Sequence, residues 1–235
     1  MTLFRLSLLG LLAVALLALQ TPTTLRGAWR STGAGPVIML IASDDYLMQT
    51  LYEPNRWDNA RGGTYRADGK LMQLAVEFDT QDSTRVGQTE TYELNVVRDR
   101  LTLLGRGGRR QFQRIDDGTG PLAGLWRITG RANENGQLTT MQRGPRKTLK
   151  LLTGSRFQWA AINPETKGFF GTGGGTYTLQ NGQYTETIDF FSRDNSRVGK
   201  ALTFQADVTA DTWRHTGKSS TGGPVDEVWS RETGR

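Results

Sequence analysis

Cysteine is absent from the 235 residues. That one absence excludes disulfides, thiolate metal sites, cysteine nucleophiles and a lipidated N-terminal cysteine. Any folded unit must be held by sheet hydrogen bonding and core packing. Histidine is nearly absent as well. His215 alone cannot build a multi-histidine zinc centre, and Ser-His-Asp chemistry would have to run through it without a G-x-S-x-G elbow. No metal and no cofactor are expected. Gly171-Thr-Gly-Gly-Gly175 lacks the Lys-Ser or Lys-Thr of a phosphate loop and leads into a strand, so it reads as a flexible hairpin approach. Long apolar runs are lacking after the N-terminus. There, Arg5 precedes a stretch of about fourteen apolar residues from Leu6 to Leu19, and polar sequence begins at Gln20. This is the pattern of a secretory signal peptide over residues 1–20, short for a bilayer span, with an uncleaved anchor as the rival. A secreted or periplasmic protein is expected, with no transmembrane span once the signal is removed.

Charge is not lacking. The net charge is +6 and the isoelectric point about 9.8, with clusters at Arg106-Gly-Gly-Arg109-Arg110 and Arg143-Gly-Pro-Arg146-Lys147. Both are punctuated by Gly or Pro between strand-like runs, where hairpin tips fall. Aromatic residues are not interleaved with them as a stacking platform requires, so nucleic acid is not an expected partner.

The chain says nearly the same thing twice. Gly62–Leu101 laid on Gly174–Trp213, an offset of 112 residues, gives twelve identities without a gap. G-G-T-Y recurs at Gly62 and Gly174, R-V-G at Arg85 and Arg197, and Phe78 matches Phe190. Gly27-Ala28-Trp29-Arg30 and Gly124-Leu125-Trp126-Arg127 open the copies; Phe112-Gln113-Arg114 and Trp229-Ser230-Arg231 close them. Such a period is too long for a solenoid, so the copies are two tandem domains of one fold, residues 25–116 and 124–235, joined by a linker over 117–123.

Helical periodicity is lacking beyond the N-terminus, whereas period-two runs rich in Thr, Val, Tyr, Phe and Trp recur every ten residues or so. The second copy reads as nine strands, near 124–131, 138–142, 148–153, 156–162, 175–179, 183–192, 201–209, 213–218 and 227–231. Asp68-Gly69 and Asn181-Gly182 read as type I′ hairpin turns. An antiparallel meander leaves two exposed edges, and closing it into an up-and-down barrel removes them. Asp44-Asp45 and Asp116-Asp117 read as solvated turn residues.

The G-x-W start, the G-G-T-Y centre, the hairpin Asn181-Gly182-Gln183-Tyr184-Thr185-Glu186 and the ending Glu227-Val228-Trp229-Ser230-Arg231 resemble small bacterial extracytoplasmic lipocalin-like domains of the calycin superfamily. The resemblance implies an all-β chain of two tandem antiparallel up-and-down barrels, about eight strands each, with a tendency to bind ligands. It also implies that a last-strand Arg stacks over the first-strand Trp at the closed end, Arg114 on Trp29 and Arg231 on Trp126. The rival is an Arg that faces inward and grips a ligand carboxylate.

The two copies differ where they should be most alike. Met72, Leu74, Val76 and Phe78 alternate along one apolar face, whereas the matching face of the second copy is Tyr184, Glu186, Ile188 and Phe190. Leu101 and Leu103 likewise become Trp213 and His215. A carboxylate in a dry barrel needs a partner. Glu186, His215 and Tyr177 therefore read as the polar end of an aromatic pocket lined by Trp159, Tyr184, Phe190, Phe204 and Trp213. The expected ligand is a small apolar or aromatic molecule, held mainly in the second barrel. Alternatives stand beside that reading. A register one residue off would turn Glu186 and His215 to solvent; barrels filled by their own side chains would serve as an interaction module; and Glu186 with His215 could move protons in an isomerase or hydratase.

Overall fold

The computed structural model describes residues 24–234. The segment read as a signal peptide lies outside the described residues. Strands β1 (Gly27–Ser31), β2 (Val37–Ala42), β3 (Tyr46–Glu53), β4 (Arg56–Ala67), β5 (Leu71–Asp79), β6 (Thr89–Val97), β7 (Arg100–Gly105) and β8 (Gly108–Asp116) pair in order, and β8 returns to β1. The chain continues through β9 (Gly124–Ala132), β10 (Leu138–Thr140), β11 (Lys147–Leu152), β12 (Arg156–Asn163), β13 (Gly168–Gln180), β14 (Gln183–Phe191), β15 (Ala201–Val208), β16 (Thr212–Lys218) and β17 (Pro224–Glu232). Here β9 and β11 to β17 form the ring, closed between β9 and β17, while β10 adds three exposed residues to the side of β9. Both rings are closed, eight-stranded and up-and-down, the lipocalin arrangement. The expected all-β fold of two tandem lipocalin-like barrels is the fold observed.

Local sequence explains the shape of each ring. Met72, Leu74 and Val76 are buried while Gln73 and Ala75 face solvent, the alternation of a half-buried strand. Between Asn181 and Gly182 both residues have positive φ, 49° and 74°, as a type I′ turn requires. In the first copy only Gly69 does, at 95°, and the loop is one residue longer. The expectation of a type I′ turn therefore holds for one copy.

The expected loop at Gly171–Gly175 is instead part of strand β13. Both G-G pairs sit at a β-bulge, between Gly62 and Gly63 on β4 and between Gly174 and Gly175 on β13. A Cβ on Gly63 would run into the Ala75 carbonyl, and one on Gly175 into that of Thr187. Phe78 lies against Gly62 and Phe190 against Gly174, which covers the bare backbone. The bulge also re-aims the end of the following strand.

Three apolar clusters result: one inside each ring and one between the rings. The cluster between the rings joins Met39, Ile41 and Met48 to Leu149, Leu151 and Ile162. Trp57 stacks on Phe169 with ring centres 6.0 Å apart and planes within 5°. These two residues are counterparts at the 112-residue offset, so the rings meet about a pseudo-two-fold axis, each using the same face. Asp116 fastens the joint. Its carboxylate accepts hydrogen bonds from the Thr153 and Ser155 hydroxyls and from the Gly154 and Ser155 amides, so this acid is no solvated turn residue.

Candidate functional site

The interior of the second barrel is built around a residue outside the expected set. Lys150 on β11 points to the barrel axis, where Nζ donates to Glu186 Oε1 of β14. The ammonium lies 5.0 Å from the ring centres of Phe157 and Tyr184, 5.1 Å from Trp213 and 5.7 Å from Trp229. Those rings come from four different strands, so the lysine is encircled. Its signal in the sequence was weak because both faces of β11 are buried: Leu149 and Leu151 pack against the first barrel, leaving Lys150 for the interior. The register places Lys150 opposite Trp126, as Leu40 lies opposite Trp29.

Tyr184, Glu186, Phe204, Trp213 and His215 are brought together here, all buried. The His215 ring centre is 4.7 Å from Phe204 and 4.8 Å from Trp213. Glu186 and His215 do not form a pair. His215 Nε2 instead lies 3.3 Å from Glu227 Oε2, and Arg131 binds the other oxygen of that carboxylate. Burial opposes the charge of Glu227, yet the His215 hydrogen bond and the charges of His215 and Arg131 outweigh it and hold the carboxyl down at about 2. Burial, then the charge of Glu186, push the Tyr184 phenol well up. Four buried polar atoms here have no hydrogen-bond partner among the described residues: Tyr184 Oη, Trp213 Nε1, His215 Nδ1 and Trp229 Nε1.

Of the other three residues of the expected set, Tyr177 and Trp159 join this cluster at its margin, Tyr177 with its ring centre 5.6 Å from that of Tyr184, and Phe190 does not. Trp159 is half-buried toward the open end, 5.6 Å from Phe191. Tyr177 donates to the Thr153 carbonyl at 2.6 Å, and its counterpart Tyr65 donates to Ser43 in the same way. Phe190 is not in the barrel interior. The bulge at Gly174 turns it to the joint between the barrels, where it meets Tyr52 with ring centres 5.0 Å apart. Strand alternation alone gave it the wrong face, because a bulge shifts the period by one residue.

The closed ends of the two barrels match. The Arg114 guanidinium lies 3.9 Å from the centre of a Trp29 ring, and that of Arg231 4.2 Å from Trp126. The indole nitrogens donate to the Leu25 and Leu122 carbonyls, each at 2.8 Å.

At the open end of the first barrel is a cavity of about 540 Å³. Ile38, Leu51, Leu103 and Tyr92 give it apolar wall. Beneath its rim Arg61 and Arg85 share two acids. Arg61 Nη2 and Arg85 Nε reach the two oxygens of Glu90, each at 2.6 Å, while Arg61 Nε and Arg85 Nη1 face Asp79 Oδ2 at 3.5 and 3.3 Å. The Tyr92 hydroxyl also donates to Glu90, at 2.5 Å. Burial raises the Glu90 carboxyl, but the bonds from Tyr92, Arg61 and Arg85 bring it below the ordinary range. None of these was read from the sequence as a site residue: Arg85 and Leu103 entered only as positions of the repeat, and Arg106 and Arg110, which also line the cavity, only as a hairpin-tip cluster.

Among the described residues no group of His, Asp and Glu is arranged to hold a metal ion, and no helix is long and apolar enough to cross a membrane. No protein-family model matches the chain, and no curated protein does. Among solved structures, a lipocalin-like protein from Bacteroides uniformis ATCC 8492 is similar at 15% identity, with a TM-score of 0.35 over 48% of this chain and 100% of that one.

Proposed function

We propose that this is an exported small-molecule-binding protein whose ligand sits in the mouth of the first barrel. The 540 Å³ cavity carries the reading, because ligand sites are concave, partly apolar and furnished with a few polar groups. An eight-stranded barrel has room for one small ligand or for its own side chains. The floor of the first barrel is filled by Trp29, Leu40, Met72, Leu74, Leu101 and Phe112, so a guest rests above it. The exported location rests on the signal-like residues 1–20.

A second reading keeps the ligand in the second barrel, as the aromatic and acidic residues there first suggested. The observation favouring it is the group of four unpartnered polar atoms around Lys150. Each such atom costs about 1–3 kcal/mol, which a guest or ordered water would offset. The proton-transfer alternative has less support, since Glu186 and His215 each hold a different partner.

Native mass spectrometry of gently purified protein separates the readings. A retained molecule lost in Leu103→Trp, which fills the mouth, but kept in Lys150→Leu/Glu186→Leu supports the first. The reverse pattern supports the second. Empty spectra throughout, from folded protein, would leave the barrels as an interaction module.

A further inference from the structure

Resting on the reading of the first-barrel mouth as a ligand site, we infer that its ligand is an anion with an apolar body. The cavity wall includes four arginines, Arg61, Arg85, Arg106 and Arg110. Two are committed: Arg61 and Arg85 are bonded to Glu90 and face Asp79. Arg106 and Arg110 are not. Neither takes part in a hydrogen bond, an ion pair or a ring contact among the described residues, although both line the cavity.

Register explains why they face it. Arg110 lies on β8 two residues before the buried Phe112 and pairs with Leu103 of β7, itself a cavity residue. Its side chain therefore belongs to the inward face, at the level where the barrel opens. Arg106 follows the last residue of β7, in the hairpin that overhangs the same opening. Of the rim acids, Asp82 partly offsets Arg106: the Thr84 hydrogen bonds, then the charges of Arg85 and Arg106, hold its carboxyl below the usual range. Asp58 stands on β4, four strands from β8 around an eight-stranded ring. Arg110 is thus the arginine of the mouth left without a paired acid.

The second barrel supplies an internal control. The residue matching Arg110 is Glu227, opposite His215 as Arg110 is opposite Leu103. There the inward charge is paired within the barrel; at Arg110 it is left unpaired over an apolar wall of Ile38, Leu51 and Leu103. A guanidinium offers a planar fork of donors suited to a carboxylate, a sulfonate or a phosphate. The apolar wall suits a short alkyl or aryl body. Below, Arg61 and Arg85 are balanced by Glu90 and Asp79, so that network needs no anion of its own.

The test uses the purified full chain and two probes of one shape, octanoate and octan-1-ol, followed by amide chemical-shift mapping. Octanoate should move the amides of Ile38, Leu51 and Leu103 and bind at least about tenfold more tightly than the alcohol. Arg106→Ala/Arg110→Ala, at exposed positions, should keep its melting temperature, lose that preference and leave alcohol binding unchanged. Arg110→Lys should keep part of it. Methyl phosphate and octyl phosphate added as further arms tell whether carboxylate or phosphate is preferred. Equal binding of octanoate and octan-1-ol at these amides, unaffected by the double variant, overturns the anion while leaving the mouth site standing. No shift at these amides with any probe overturns both.

Discussion

At six matching places in the two rings, the first barrel has Leu40, Met72, Leu74, Leu101, Leu103 and Phe112 where the second has Lys150, Tyr184, Glu186, Trp213, His215 and Trp229. The mouths are exchanged in the opposite sense. Gln49, Arg61, Asp79, Glu90 and Tyr92 of the first barrel answer to Trp159, Gly173, Phe191, Leu202 and Phe204 of the second. One barrel keeps a dry floor under a charged mouth; the other keeps charge on its axis under an aromatic mouth. The backbone devices stay the same, namely the glycine bulge, the tyrosine bonded to Ser43 or Thr153, and the Trp–Arg closure. A shared frame thus tolerates opposite interiors, and function must be argued from the interior.

The sharpest way to break that comparison is to give the second barrel the first barrel's floor. Glu186→Leu alone leaves a buried ammonium without its partner, and should cost about 3–5 kcal/mol in urea unfolding. Lys150→Leu/Glu186→Leu restores the apolar pair and should return to the parent's stability or exceed it by about 1–4 kcal/mol. If the double variant is as unstable as the single one, the two floors are not interchangeable.

The joint between the barrels comes next. Leu151 and its counterpart Ile41 are fully buried there, and either change to Ala should cost about 2–4 kcal/mol. Because the joint uses the same face twice, the second repeat expressed alone should self-associate through that face, and Leu151→Glu should abolish the dimer in light scattering. A lone repeat that stays monomeric and folded would contradict the pseudo-two-fold reading.

Acid should separate the interiors by a smaller amount. Glu227 is held down at about 2 in the folded state, against about 4.5 ordinarily. A depressed carboxyl contributes stability that is complete above its unfolded value and is lost as pH falls through the folded one. The contribution, roughly 1–3 kcal/mol, should therefore disappear between pH 4.5 and 2. Melting curves of Glu227→Gln should lie below the parent at pH 6 and converge with it toward pH 2. Parallel curves throughout would mean that the His215 and Arg131 contacts do not hold the charged form.

Much of this fold was legible because repeats cross-check one another: all nine strands of the second copy and the closed rings follow from alternation and turn residues. Glu186 and His215 were legible as inward residues for the same reason, having Leu74 and Leu103 as counterparts. Phe190 was misplaced because a bulge is set by the bare backbone of Gly174 and Gly175, which alternation does not register. Lys150 was missed because a strand buried on both faces has no polar side to count from. The mouth network was missed for a third reason: Arg61, Asp79 and Glu90 lie on three successive strands and Arg85 in the turn between two of them, so their meeting depends on cross-strand register that the sequence alone does not display.

The smallest expected difference is the one that should be nil. Arg114 and Arg231 occupy matching places, each over a tryptophan and each donating to a carbonyl, Arg26 at 2.9 Å or Ala123 at 2.8 Å. Replacing either by Ala should cost about 0.5–2 kcal/mol, and Lys should recover little of it, since an ammonium lacks the plane that stacks on indole. An inward arginine gripping a ligand carboxylate would behave otherwise: its loss would empty the barrel and leave the unliganded melting temperature nearly unchanged. Equal falls in melting temperature for Arg114→Ala and Arg231→Ala, with octanoate binding at the first-barrel mouth intact, would place both residues in the frame that the barrels share. Unequal falls would mean that the closed ends, too, have diverged.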